Sequence, residues 1–528
     1  MKLLILLLAV LQCTASLKIL LYNPGFGHSH MRFMGRISTV LTEAGHALTE
    51  VRPAVDSALK WEGVSKTKDV LVYPEDPLVA ELVKRMNDED GFLGGLWTKE
   101  MTPQQMSSMM GNMTKMFVRS CDHILYETDL VATLKKRKFD LGITEAFDPC
   151  GFAIFKLAGV ENWVSTSSSN LLDHQAMLLG VPLVPSYVPG PMTESTEKMT
   201  LFEKTMNAVG TYFGGKIFLD IFEAFTENFK KRMGTEYIDV KALASRSAML
   251  FTNTQNLIDF PKPTLHKIVD IGGIHIKDTS KEKLDEEWNK ILNRKKKNVL
   301  ISFGSVAKSS NMPQPYKKAI IKAAREMPDV LIIWKYEADD LPKSELPENL
   351  YLSKWTPQNA LLADPRLNLF LTHGGLASTT EIAYSGTPSI VTPLFADQPR
   401  NAKVLLRHGG AEKLRKFDLA NSEKIKTTIM KILDDPSYET KAKELSIMLK
   451  NPPFTPKELL VRNVEFVGRF GSLPQLDPYG RQLSFFQYYL LDIISIFLVV
   501  TISVILLAVY LIKSCLALVT GAAKMKSD

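Results

Sequence analysis

The chain is poor in cysteine, and that removes one class of fold at once. Four cysteines in 528 residues cannot form the disulfide framework of a small secreted scaffold. Cys13 lies in an apolar leader and Cys515 beyond an apolar run near the end, which leaves Cys121 and Cys150 free to pair or not. A strong charge of one sign is lacking too. Sixty-four Lys and Arg against 57 Asp and Glu give a net +7, small for this length, which argues against a nucleic-acid binder. The one dense basic cluster, Arg294-Lys295-Lys296-Lys297, reads as an exposed linker before a strand. No internal repeat or low-complexity tract stands out, and no His/Cys cluster has the spacing of a ligand set, so no metal is implied.

What is present is a globular composition, 45% hydrophobic and 23% charged, with two apolar runs at the ends. Met1-Lys2, the apolar residues 3–11 and the small residues 13–16 make a secretory signal peptide over 1–16. Residues 493–512 carry no charge, and a helix of about 20 such residues spans a bilayer. Phe485, Phe486, Tyr488 and Tyr489 before it suit a lumenal interface, and Lys513, Lys524 and Lys526 after it suit a cytosolic tail. Lys526 and Lys524, three and five places from the end, resemble the dilysine retrieval signal of endoplasmic-reticulum membrane proteins. Asn112-Met113-Thr114 is a glycosylation sequon, compatible with a lumenal loop.

Between the ends the pattern alternates. Residues 17–22 read as a strand, 31–44 as a helix ended by Gly45, 47–51 as a strand, and 139–144 as another. Residues 277–298 are charge-rich and read as a linker or exposed helix between domains. Strand-like runs resume at 298–303, 330–334, 367–371 and 389–391. The class is α/β, with two doubly wound parallel sheets facing each other. The expected division is a signal peptide 1–16, a first domain 17–280, a linker 281–297, a second domain 298–465, a return segment 466–490, a transmembrane helix 491–512 and a tail 513–528.

The most informative stretch is 355–401. It opens with Trp355-Thr356-Pro357-Gln358, continues with Thr372-His373-Gly374-Gly375, Glu381 and Gly386-Thr387-Pro388, and closes with Phe395-Ala396-Asp397-Gln398-Pro399. An apolar strand, a glycine turn and a helix start follow one another at 367–384, and such a turn lets backbone N–H groups and the helix dipole meet a diphosphate.

With its several fixed spacings, this stretch resembles the signature of the UDP-glycosyltransferases, specifically the membrane-bound UDP-glucuronosyltransferase type of animals. The resemblance extends over almost the whole chain. It implies the GT-B fold, with residues 17–280 binding the acceptor, residues 298–465 binding the UDP-sugar, and the chain crossing back to the first domain after Phe466. It also implies roles at matching positions. His373, Gly374, Gly375 and Ser378 would meet the diphosphate, with Ser305 approaching from the facing loop. Trp355 would stack on uracil, Gln358 and Glu381 would hold the ribose, and Asp397 and Gln398 the sugar hydroxyls. Where many relatives carry Asn before the Ser378 position, this chain has Ala377.

Glycosyl transfer to a hydroxyl needs a general base, and Gly25-Phe26-Gly27-His28-Ser29-His30 offers two histidines. Counting from Gly45-His46, the family's catalytic histidine falls on His30. The carboxylate that steadies it would be Glu145, where the family usually has aspartate, or else Asp148. The implied reaction is a single inverting displacement from a UDP-sugar, a co-substrate and not a cofactor, to a lipophilic acceptor. The expected setting is the endoplasmic-reticulum membrane, single-pass type I, with lumenal catalytic domains and room for a homo-oligomer. Two other readings compete. Gly25-x-Gly27-x-x-His30 lacks the third glycine of a dinucleotide-binding fingerprint. Glu145 and Ala377 leave open a non-catalytic UDP-sugar binder. Glucuronate and glucose donors differ by a carboxylate that a cation would read, and Arg400, near Asp397 and Gln398, is the candidate.

Overall fold

Apolar runs without polar alternation, such as Ile19-Leu20-Leu21 and Val299-Leu300-Ile301, are the pattern of strands covered on both faces, and all six residues are completely buried. The computed structural model describes residues 16–87, 95–100, 102–276 and 283–524. The leader, but for Ser16, and Lys526 of the terminal lysine pair lie outside the described residues. Residues up to Leu476 form one unit and Asp477–Asp528 a second.

The first unit holds two parallel sheets. One comprises β1 (Lys18–Tyr22), β2 (Ala47–Pro53), β3 (Asp69–Tyr73), β4 (Leu141–Glu145), β5 (Trp163–Ser167), β6 (Leu250–Thr252) and β7 (Ile268–Asp270), in the order 3-2-1-4-5-6-7. The other comprises β8 (Lys297–Ser302), β9 (Val330–Lys335), β10 (Leu350–Ser353), β11 (Leu367–Thr372), β12 (Ser389–Val391) and β13 (Ala411–Lys413), in the order 10-9-8-11-12-13. The strand order reverses between β1 and β4 and again between β8 and β11. Such reversals open a crevice beyond the carboxyl ends of the strands.

Side chains alternate across each sheet. From β1, Leu20 and Tyr22 enter one core layer and Ile19 and Leu21 the opposite one. The helix His28–Glu43 covers the second layer with Phe33, Met34, Ile37 and Leu41. The same layer receives Leu460, Val464 and Val467 from the helix Pro456–Phe470. The return to the first sheet is therefore under way by Pro456, ahead of the expected 466. Within the expected linker 281–297, the described residues differ from a plain linker: the helix Glu286–Leu292 buries Trp288, Ile291 and Leu292 against the second sheet. Its many charges sit on the outer face and hide a three-residue apolar contact.

The helix Pro103–Tyr126 carries the sequon Asn112-Met113-Thr114 in its interior, where Thr114 Oγ1 donates to the Met110 carbonyl, so the sequon is helical and not in a loop. Cys121 on that helix and Cys150 form a disulfide. In the second unit, the helix Leu491–Lys524 continues past Lys513, and residues Leu491–Leu518 are long and apolar enough to cross a membrane.

Candidate active site

The two crevices supply two sets of residues. At the end of β1 the chain turns through Gly25–Gly27 into the helix His28–Glu43, which puts His30 in its first turn. At the end of β4 stands Glu145, almost fully buried. His30 Nδ1 lies 2.8 Å from Glu145 Oε1 and 2.7 Å from Ser168 Oγ, while the Ser168 N–H donates to the same carboxylate oxygen at 3.0 Å. Burial pushes the Glu145 carboxyl up. The charge and hydrogen bond of His30 and the bonds of Ser168 outweigh it and hold the carboxyl below its ordinary range. With Nδ1 committed, Nε2 is the nitrogen left for a substrate.

Asp148 is not at the histidine. It accepts from the Tyr22 hydroxyl at 3.0 Å and from the Cys150 N–H at 3.0 Å. Burial pushes its carboxyl up to about 7. Ser168 was missed in the sequence. It follows β5 inside a serine run, 138 residues from His30, with nothing local to single it out. A second missed feature is aromatic. The Phe26 ring lies 4.5 Å from His30, Phe147 lies 5.2 Å from it, and Phe218 meets Phe147 at 5.9 Å. Phe218 belongs to the stretch 217–225, whose Phe222 and Phe225 pack in the core while Phe218 reaches this aromatic wall.

The second crevice is built on β8 and β11. His373 opens the turn after β11, and Gly375 is the N-cap of the helix Leu376–Ser385. Two glycines make room for the imidazole: a Cβ on Gly304 would stand 2.8 Å from its Cε1, and one on Gly375 2.7 Å from its Nε2. Gly304 also has φ +83°, open to glycine at no steric cost. Burial, with the Lys335 ammonium second, pushes His373 down to about 4, so the ring is neutral at neutral pH. Lys335 Nζ donates to the Gly304 carbonyl at 2.6 Å and lies 5.8 Å from the Trp355 ring. Trp355 itself is 68% exposed, an open aromatic face.

Gln358, Ser378 and Glu381 come together: Gln358 Nε2 donates to Glu381 Oε2 at 2.5 Å and to Ser378 Oγ at 3.3 Å. Ser305 is exposed in the turn after β8. Asp397 accepts from Asn401 Nδ2, which also bonds the Gly374 carbonyl, tying the Asp397 turn to the glycine turn. Burial pushes the Asp397 carboxyl up, and the Asn401 bond and the charges of Arg400 and His30 pull it back only in part. That His30 acts on Asp397 puts the two crevices within electrostatic reach of each other. Gln398, buried, accepts through Oε1 from the Leu394 and Phe395 N–H groups. At Ala377 the imidazole of His275 hydrogen-bonds the backbone.

Arg400 does not stand free. Its guanidinium pairs with Asp259, which also holds Lys262 at 2.8 Å. Among the described residues one group has metal-ligand proximity, Asp76, His123 and Glu127, but Arg119 already bonds both carboxylates.

Two parallel doubly wound sheets, each with a crevice where its strand order reverses, have the arrangement of the GT-B fold. Solved structures agree with that fold: a UDP-glucosyltransferase from Polygonum tinctorium has a TM-score of 0.58 at 15% identity, with 86% of this chain and 99% of that one covered. UGT71G1 of Medicago truncatula has a TM-score of 0.57 at 16% identity, with 87% and 99% covered.

The family is shown by sequence. The model of the UDP-glucoronosyl and UDP-glucosyl transferase family matches residues 18–527, and the chain belongs to that family. Caenorhabditis elegans ugt-56 is 30% identical over 85% of this chain and 84% of its own length. The UDP-glucuronosyltransferase 1A1 of Rattus norvegicus is 27% identical over 92% and 88%. The protein is thus a UDP-glycosyltransferase.

Proposed function

We propose that the chain transfers a glucuronosyl group from UDP-glucuronate to a hydroxyl of a small lipophilic acceptor, by single inverting displacement with His30 as general base. The observation that carries this is the Glu145–His30 pair at the first crevice, within reach of Asp397 at the second. His30 Nε2 takes the acceptor proton as the acceptor oxygen forms its bond to the anomeric carbon. The bond from that carbon to the diphosphate oxygen breaks, and UDP keeps the electron pair. Glu145 holds the imidazolium and fixes its tautomer. The neutral His373 N–H and the backbone at Gly374 and Gly375 donate to the diphosphate as its charge grows. Trp355 stacks on uracil; Gln358 and Glu381 hold the ribose; Ser305 and Ser378 meet phosphate oxygens. Asp397 and the Gln398 amide orient the sugar. The Phe26–Phe147–Phe218 wall suits an aromatic or otherwise apolar acceptor. No cofactor enters this scheme.

Glucuronate is favoured by the Lys262–Asp259–Arg400 triad, which has one positive charge in surplus, and by Arg400 Nε, which is buried with no hydrogen-bond partner among the described residues. The rat relative is named a UDP-glucuronosyltransferase. Glucose is the second reading. It is favoured by Asp173, which lines the same hollow as Lys262 and Arg400 and, with its carboxyl pushed up to about 7 by burial, would repel an acid sugar when ionised. The site works in the endoplasmic-reticulum lumen, anchored by the helix Leu491–Lys524.

The test is transfer of labelled UDP-glucuronate and, separately, UDP-glucose to a panel of phenols by membranes carrying wild type or His30→Ala. Transfer from the acid donor alone, lost in the variant, is expected. Transfer that survives in His30→Ala overturns the base. Transfer from glucose alone moves the donor to the second reading.

A further inference from the structure

Two residues in the core of the second sheet come from the first half of the chain. Leu96 and Trp97, 5% and 3% exposed, pack among residues of the second sheet, although in sequence they stand between β3 and the helix Pro103–Tyr126. They belong to a short turn, in which the Thr98 and Lys99 N–H groups donate to the Gly95 carbonyl at 3.1 and 2.9 Å. Such a turn has no core of its own to bury two large apolar side chains.

The second half receives this strap at three points. The Trp97 ring meets Phe303 edge-on, with centroids 5.1 Å apart. The Tyr316 hydroxyl, 219 residues further on, donates to the Trp97 carbonyl at 3.4 Å. Lys416, itself buried, donates through Nζ to the Leu96 and Lys99 carbonyls at 3.3 and 2.5 Å. A buried ammonium needs acceptors, and the strap supplies them.

What Trp97 leans on is the root of a loop already described. Phe303 follows β8 and precedes Gly304, whose turn encloses the His373 ring. The loop is fastened at the Gly304 carbonyl by Lys335 and at Ser309, whose Oγ accepts from Trp334 Nε1 at 3.1 Å. Between these fixings Ser305 and Val306 are exposed. Next in the chain after the strap comes the capping box at Thr102, which starts the helix Pro103–Tyr126. Phe117 on that helix meets Phe26 edge-on at 5.0 Å, beside His30. One stretch of chain therefore backs the turn of the second crevice and the aromatic wall of the first.

We propose that Trp97 is a positioning residue for the donor site: the strap Gly95–Glu100 holds the Gly304–Ser305 turn, through Phe303, where it meets a diphosphate. The proposal rests on the donor reading of that turn. It makes donor binding depend on a side chain from the first half of the chain that does not touch the donor.

The test titrates the full chain in detergent with UDP, the part that every UDP-sugar shares, below the unfolding temperature of each variant. Freed of its backing, the turn must be ordered by the ligand, so Trp97→Ala should weaken UDP binding about tenfold, with kcat at saturating donor within about threefold of wild type. Trp97→Phe keeps an aromatic ring on Phe303 and should recover most of the affinity. Lys416→Met releases the strap from its other side and should repeat the loss, which serves if Trp97→Ala does not fold. Met327→Ala is the packing control. Met327 is buried in the same core but precedes β9, at the opposite end of the parallel sheet from Gly304, and its loss should leave UDP affinity within about twofold. Equal weakening by Met327→Ala would assign the effect to core packing and overturn the proposal. Wild-type UDP affinity in Trp97→Ala and Lys416→Met, with Gly304→Ala weakened, would overturn it while sparing the donor reading. Wild-type affinity in Gly304→Ala would overturn that reading and the proposal with it.

Discussion

Replacing Glu145 with Gln isolates the charge of one buried carboxylate. The amide keeps the shape of the side chain, and its oxygen can still accept the Ser168 N–H, which the carboxylate accepts at 3.0 Å. The amide nitrogen takes the place of Oε2, which has no hydrogen-bond partner among the described residues in the wild type either. What disappears is the negative charge 2.8 Å from His30 Nδ1, at a site only 2% exposed. A hydrogen bond to a charged partner is worth about 1.5–3 kcal/mol net. That interaction is strongest when His30 holds the acceptor proton, so its loss falls on the transition state. At tenfold per ~1.4 kcal/mol, kcat should drop about 10- to 150-fold. The KM for the UDP-sugar should stay within about twofold, since Glu145 belongs to the first sheet and the donor residues to the second. Steady-state transfer to a phenol, with donor and acceptor varied in turn, measures both. A Glu145→Gln enzyme with wild-type kcat would remove Glu145 from the mechanism. A variant whose donor KM rises while kcat holds would move it to the donor side.

Three further outcomes follow from the same geometry. Gly304→Ala forces a Cβ to within 2.8 Å of the His373 ring at φ +83°, and the backbone cost alone is about 1–2 kcal/mol, so the KM for the UDP-sugar should rise about tenfold with kcat less affected. A KM unchanged from wild type would mean that His373 does not contact the donor. Asp148, raised from 3.8 to about 7, contributes stability that is full below its unfolded value and is lost as pH rises through 7. Asp148→Asn lacks this titration, so thermal unfolding in detergent should find the variant gaining about 3 kcal/mol on wild type between about pH 5 and about pH 8; parallel pH curves would refute the buried ionisation. Closing a loop between Cys121 and Cys150, 29 apart in sequence, is worth about 3–4 kcal/mol, so Cys121→Ala with Cys150→Ala should unfold well below the oxidised wild type, and a wild-type unfolding temperature would refute that contribution.

The second crevice was the legible half of the site because its parts are close in the chain. A strand, a glycine turn and a helix start between 367 and 385 are read from local periodicity, and the expected strand at 389–391 is β12. The first crevice was legible only at its strand ends, His30 and Glu145. Ser168, Phe147 and Phe218 come from separate elements, and no local pattern says that the first two converge on the His30 imidazole or that Phe218 packs on Phe147 behind it. The choice between Glu145 and Asp148 had the same limit, since one ends β4 and the other lies three residues on, and only packing decides which faces His30 and which faces Tyr22. Composition misled at Glu286–Leu292, where charge conceals the three apolar residues that dock the helix, and at Asn112, where a three-residue motif carries no information about the 24-residue helix around it.

The two crevices also differ in how they manage charge. On the acceptor side a full negative charge is kept buried, and it is tolerable because His30 and Ser168 bond the same oxygen. In the second crevice the His373 imidazole is held neutral, between two glycines and beside Lys335, so what the proposed diphosphate would meet is a neutral ring and a run of backbone N–H groups. The asymmetry matches the flow of charge in a displacement. The base must acquire a positive charge and needs a fixed anion behind it. The leaving group arrives already anionic and needs donors placed in advance. Exchanging the two environments would disable both: a neutral partner behind His30 would leave an imidazolium unsupported, and a carboxylate beside His373 would repel the diphosphate before any chemistry began.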